Sequence, residues 1–226
     1  MDTGALSLRA LASLAAGLWL CGPRPAAARD PRLGLTDAQI LTMGLGGWES
    51  YASKRLGMLS ERRTHETYAV YERAASARNA ALAARLSPAE RRRVAALRSL
   101  LARFARAVTE AGRQASATDA YWRPVGARLG AACEDTLHAV LTRAGPSSAP
   151  RAADVRARLL ALRRLHAQRH ASGAARSRGL AAAEDAARAF DEIERRGDGL
   201  PLQARSAALA FCLRTANTAL AFTQSP

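Results

Sequence analysis

Apolar residues recur along most of this chain at steps of three and four, the spacing that lines one face of an α-helix. Val94, Leu97, Leu101, Phe104 and Val108 step by three, four, three and four. Trp122, Val125, Leu129, Cys133, Leu137 and Val140 form a second such stripe, and Val155, Leu159, Leu162 and His166 a third. Leu209, Cys212, Leu213 and Leu220 mark a last helix from about Leu202 to Phe222. No segment sustains the period-two alternation of a strand, and no tight-turn dipeptide joins two apolar runs. The expected fold class is therefore all-α, a helical bundle of five to seven helices.

Punctuation between the stripes divides the chain. Thr36 with Gln39 reads as a capping box that opens a helix carrying Ile40, Leu41 and Met43. "GLGG" at 44–47 is too rich in glycine for a helix interior, so the pattern predicts a break there and a second helix from Trp48 to about Leu86. On that second helix Trp48 with Tyr51, and Tyr68 with Tyr71, sit three residues apart and share a face. Ser87-Pro88-Ala89-Glu90 is the clearest start signal, with a serine cap, proline at the first helical position and a glutamate reaching back. A fourth helix follows "SATD", carries Pro124 in its first turn or is kinked by it, and ends at Gly145-Pro146, and "GPSSAPR" reads as a linker. Beyond it, residues 151–178 hold arginines against Asp154 alone, whereas residues 180–198 turn acidic. Opposed blocks of this kind predict a helical hairpin with attracting arms. The organisation expected is a leader over 1–28, a helical bundle domain over 29–145, and over 146–226 a hairpin plus last helix packed on the same core.

The leader rests on residue order. "MDTGALSLR" precedes the apolar run "ALASLAAGLWL", then "CGPRPAAARD" supplies a helix breaker and small residues. This is the pattern of a secretory signal peptide cut after Ala28, and the run is shorter than the roughly 20 residues that span a bilayer. Its alternatives are a short anchor, an organellar transit peptide, or lipidation at Cys21, against which the bulky Trp19 and Leu20 argue. A periplasmic or secreted location follows, with no transmembrane segment in the mature chain. Removal of the leader leaves Cys133 and Cys212 as an even pair, a disulfide candidate in an oxidising compartment. The other reading is two small apolar core residues.

Charge narrows the partners. The formal net charge is +15, and 33 of the 34 basic residues are arginine, Lys54 being the exception. Nucleic-acid binders usually mix lysine with arginine, since either neutralises a phosphate, and arginine excess beside abundant alanine fits GC-rich coding. No nucleic acid is expected as a partner unless the N-terminus is retained. Arg91, Arg92, Arg98 and Arg106 fall mostly off the apolar stripe of their helix, so its wet back accounts for them. Arg91 and Arg92 nonetheless crowd the positive end of a helix dipole relieved only by Glu90, which would welcome an anion. Arg91, Arg92 and Arg98, with Trp48, Tyr51 and Trp122, and Tyr68, Tyr71 and Tyr121 as further aromatic area, are the candidate binding residues. Stacking beside arginines would suit sugars or peptides.

Catalytic chemistry has little to stand on. His166 and His170 lie one turn apart, but the intervening residues lack the glutamate of a zinc-protease helix, and Arg163, Arg164 and Arg169 oppose a cation. No CxxC, nucleophile elbow or phosphate-cradling glycine loop follows a strand. No catalytic residue, no metal and no cofactor are assigned, and the chain reads as a non-enzyme.

Two stretches carry resemblances. Residues 79–107, "NAALAARLSPAERRRVAALRSLLARFARA", look like the central helix of periplasmic lysozyme inhibitors of the LprI type, with Phe104 at an aromatic position and Leu101 where that family has Trp. "LTDAQ" at 35–39 and "LSPAE" at 86–90 resemble the paired LTxxQ motifs of Spy- and CpxP-type periplasmic chaperones. These resemblances imply an exported helical protein that binds a protein or peptide partner, as an inhibitor or a holding chaperone. The alternative is a cationic module that binds anionic envelope polymers, and a second alternative is nucleic-acid binding if no signal peptide is cleaved. Oligomeric state stays open.

Overall fold

Helix α1 (Asp37–Leu56) begins where Thr36 closes the expected capping box: its hydroxyl accepts from Gln39 N, while Thr36 N donates to Gln39 Oε1 at 2.9 Å. The computed structural model describes residues 30–57, 61–115, 122–146, 148, 150–169 and 173–224. The expected leader over 1–28, with Cys21, as well as Tyr121 and His170, lies outside the described residues. After α1 come α2 (Glu61–Ala83), α3 (Pro88–Ala115), α4 (Trp122–Thr142), α5 (Ala152–Arg169), α6 (Ala174–Gly197) and α7 (Leu202–Gln224). Among the described residues there is no strand, and the fold is an all-α helical bundle.

The glycine run acts differently from the break expected of it. Gly44 alone leaves helical geometry, at φ 66° and ψ 171°, and α1 resumes after this kink and continues to Leu56. The helix ends instead at Gly57, whose φ of 55° and ψ of 61° are the left-handed cap that glycine adopts without a Cβ clash. The helix expected from Trp48 to about Leu86 is therefore divided between α1 and α2, with Trp48 and Tyr51 on the first and Tyr68 and Tyr71 on the second. Ser87 opens α3 as its sequence predicts, its hydroxyl and backbone N both donating to Glu90 Oε2, at 2.6 and 3.0 Å.

Two large hydrophobic clusters fill most of the interior, beside a small one of Ala111, Ala182 and Ala183. The larger joins α3 to α7, with Leu101, Phe104, Leu162, Phe190, Ile193, Phe211 and Cys212 among its most enclosed members. Phe104 and Phe190 face each other at 6.3 Å between ring centroids. The other large cluster joins α1 and α2 through Ile40, Trp48, Tyr68, Val70 and Tyr71, and takes Ala131 from α4. Helix α4 is thus the wall between them: Leu129 and Cys133 face one cluster and Ala131 the other. The third predicted stripe also faces inward, ending in a fully buried His166 whose ring lies where a Cβ on Gly179 of α6 would stand.

Cys133 and Cys212 are not bridged. Both are free, buried thiols in the larger cluster, on facing helices α4 and α7. Their environment is that of small apolar side chains, and the expected disulfide gives way to the core reading. Burial pushes the Cys133 thiol up to about 12, with the neighbouring Glu134 adding to the effect, and raises Cys212 further.

The opposed charge blocks do form a hairpin. Arg156 of α5 meets Glu194 at 2.5 Å and Asp191 at 3.2 Å on α6, and Arg163 meets Glu184 at 3.5 Å. No helix of the described residues is long and apolar enough to cross a membrane.

Candidate functional site

The aromatic residues proposed for binding are mostly spent on the core. Trp48 is fully buried and donates from Nε1 to the Thr67 carbonyl at 2.9 Å, which ties α1 to α2. Trp122, also buried, packs its six-membered ring onto Gly112, where an added Cβ would meet Cη2 at 2.1 Å. Tyr51 is half-buried, stacks on Trp48 at 6.3 Å and carries Arg55 over its ring at 5.6 Å. Tyr68 and Tyr71 are buried, and their hydroxyls donate to Glu49 and Asp135 at 2.5 and 2.7 Å. Burial, with those carboxylate acceptors, raises both phenol pKa values. The described aromatics therefore do not gather into an exposed groove.

Arg98 also leaves the candidate surface. It turns inward as a fork on the buried Glu134 of α4, Nε donating to Oε1 at 2.9 Å and Nη2 to Oε2 at 2.6 Å. Asn79 of α2, 1% exposed, donates to both the carbonyl and Oε2 of Glu134, and Ser76 accepts from Arg98 Nη2. Glu72 stands beside this cluster, over Gly130, where an added Cβ would meet its carboxylate oxygens at 3.3 Å. Burial and the Glu134 charge raise its pKa above the ordinary value of 4.5. Sequence reasoning missed Glu72, Asn79 and Glu134, since nothing local distinguishes them from the other polar residues beside them, such as Arg73, Arg78 and Asp135. The one signal was that Arg98 lies a single position from the buried Leu97. The cluster fastens three helices together, as a satisfied buried polar network does.

What stays on the surface is cationic. Arg91, Arg92 and Arg93 are exposed in the first turn of α3, and Glu90 beside them is committed to the cap, which lowers its pKa. Farther along, α3 packs against α6 through small residues, Ala111, Ala182 and Ala183. Close helix approach at alanines leaves the longer side chains to stand on either side. There they line an open trough of about 680 Å³ with Arg103 and Arg106 from α3, and Arg178 and Arg188 from α6.

Two carboxylates lie in the same lining and offset only part of its charge. Asp185 is engaged by Arg103 and by Arg188, and Glu110 by Arg113, outside the lining, at 2.7 Å. The hydrogen bond from Arg103 holds Asp185 below the usual carboxylate range, and that from Arg113 does the same for Glu110. Both stay anionic, so the lining carries four guanidinium groups against two carboxylates. Arg178 reaches Gln114 at 3.4 Å, and Arg106 is exposed with no ion pair among the described residues. Of the trough's cations only Arg106 was singled out by the sequence, because the groove exists only once α3 and α6 are paired. Among the described residues, no three His, Cys, Asp or Glu side chains converge as a metal site.

Comparison with family models, with curated proteins and with solved structures finds no significant match to this chain.

Proposed function

We propose that the protein is a non-catalytic cationic module that binds a phosphate-bearing polymer of the cell envelope, such as lipopolysaccharide or teichoic acid, outside the cytoplasm. The observation that carries this reading is the trough between α3 and α6, whose cations outnumber its carboxylates and include Arg106, which makes no ion pair among the described residues. Guanidinium forks suit it, because each can meet two oxygens of one phosphate group. Exposed Arg91, Arg92 and Arg93 extend the basic surface along the same helix. An inhibitor or holding chaperone would instead use exposed apolar area. Among the described residues the large apolar side chains exposed are Leu160 at 46% and Leu202 at 64%. The two motifs that resemble exported chaperones both serve as helix caps.

Ionic strength tests the proposal. Binding to purified lipoteichoic acid, or to lipopolysaccharide, should weaken steeply over an interval of salt in which the screening length falls about threefold. Affinity that is indifferent to salt, or absent for both polymers at low salt, refutes it.

A further inference from the structure

A second cavity, of about 470 Å³, lies between α1, α4 and α7 and belongs to no part of the trough. Its size is that of a site for a small organic molecule. Leu129 and Phe211 give it apolar walls, and Ala207 and Ala210 of α7 leave the space that larger side chains would fill. Two charged residues in the lining are already engaged: Arg128 holds Glu49 at 3.1 Å, and Asp135 accepts from Tyr71 at 2.7 Å and from Arg78 at 3.5 Å.

Among the described residues, Thr215 and Arg214 of the lining have no side-chain partner. Thr215 is 1% exposed, and its hydroxyl is shielded from solvent with no hydrogen-bond partner. Helical threonines ordinarily turn the hydroxyl to the carbonyl four residues back. Thr42, Thr136 and Thr218 of this chain do so, at 2.8, 2.9 and 2.9 Å. Next to Thr215, Arg214 is exposed and makes no ion pair among the described residues.

We infer that this cavity binds a small amphiphilic acid, an aliphatic or aromatic carboxylate. The apolar body lies against Leu129, Ala207, Ala210 and Phe211. The carboxylate meets the exposed Arg214 guanidinium. A neutral ligand would leave Arg214 unanswered, and a cation would be repelled by it.

Calorimetric titration of the full chain tests this, with decanoate and 3-phenylpropanoate as probes, decanol and decyltrimethylammonium as neutral and cationic counterparts. At least one acid should saturate at a single molecule per chain, with the uncharged and cationic counterparts binding about tenfold more weakly or worse. Arg214→Gln, at an exposed position, should weaken the acid about tenfold and leave decanol unchanged. Thr215→Val should raise the melting temperature of the unliganded protein, since it removes a stranded hydroxyl shielded from the open cavity, and leave the acid's affinity unchanged. Ala210→Leu should abolish binding by filling the space. Failure of both acids to saturate, equal affinity for decanol, or acid binding unaltered in Arg214→Gln overturns the inference.

Discussion

Arg98 on α3 and Glu134 on α4 are joined by a two-point ion pair, at 2.9 and 2.6 Å, with Asn79 of α2 closing the remaining side of the carboxylate. The Glu134 side chain is 9% exposed, so loss of its cation strands a charge away from water. Removing one partner of such a pair costs far more than the intact pair contributes. Arg98→Ala is expected to destabilise by about 3 kcal/mol, a fall of roughly 10 °C in melting temperature. Arg98→Lys keeps the charge but not the fork and should fall between. An alanine variant that melts with the wild type would mean that Glu134 does not depend on Arg98.

Glu72 supplies a prediction of opposite sign. Its pKa is raised in the folded chain, chiefly by burial, so its ionisation opposes folding. That penalty acts above the ordinary glutamate range and vanishes as pH falls below it, where the group is protonated folded or unfolded. Glu72→Gln should therefore raise the melting temperature at neutral pH and leave it unchanged near pH 3, as scanning calorimetry at the two pH values would reveal.

The two thiols should be inert in the native state. Cys133, pushed up to about 12, and Cys212, pushed higher, expose almost no surface and hold almost no thiolate at neutral pH. Iodoacetamide should modify neither until denaturant is added, after which both react at once. Intact mass measured with and without reductant should agree. A gain of two hydrogens on reduction would show that the pair is oxidised after all.

Gly112 is required by close approach. A methyl group there meets the Trp122 ring, and Trp122 sits in the larger core. Gly112→Ala should destabilise by about 1–3 kcal/mol, as overpacking does, despite alanine's better helix propensity. Gly46→Ala, with nothing within 4 Å of the added carbon and an ordinary φ, is the matched control and should be neutral or stabilising. Thermal melts of the two variants distinguish them.

How far the sequence could be read depended on whether a feature was local. The capping boxes at Thr36 and Ser87 and the apolar stripe from Leu97 to Val108 depend on near neighbours, and each is found where expected. The α5–α6 hairpin was legible because its charge blocks adjoin in the chain. Gly57 was overlooked because a single glycine in a helical pattern is weaker punctuation than "GLGG", although its left-handed backbone is what ends α1. Trp48 and Trp122 read as binding candidates because aromatic area looks alike whether it faces a partner or a neighbouring helix. Arg98 and Glu134 are 36 residues apart and Arg103 and Asp185 are 82 apart, and nothing short of helix pairing brings either set together.

The central claim is that the trough between α3 and α6, rather than positive charge in general, holds an anionic polymer. Its most direct measurement compares lipoteichoic acid affinity at fixed ionic strength for two double variants of equal net charge. Arg106→Gln with Arg178→Gln empties the trough of two cations, while Arg158→Gln with Arg164→Gln removes two exposed cations from α5. The trough pair should lose about tenfold in affinity and the α5 pair about twofold or less. Equal losses in the two variants would contradict the account, because they would make the binding a property of overall charge and not of this groove.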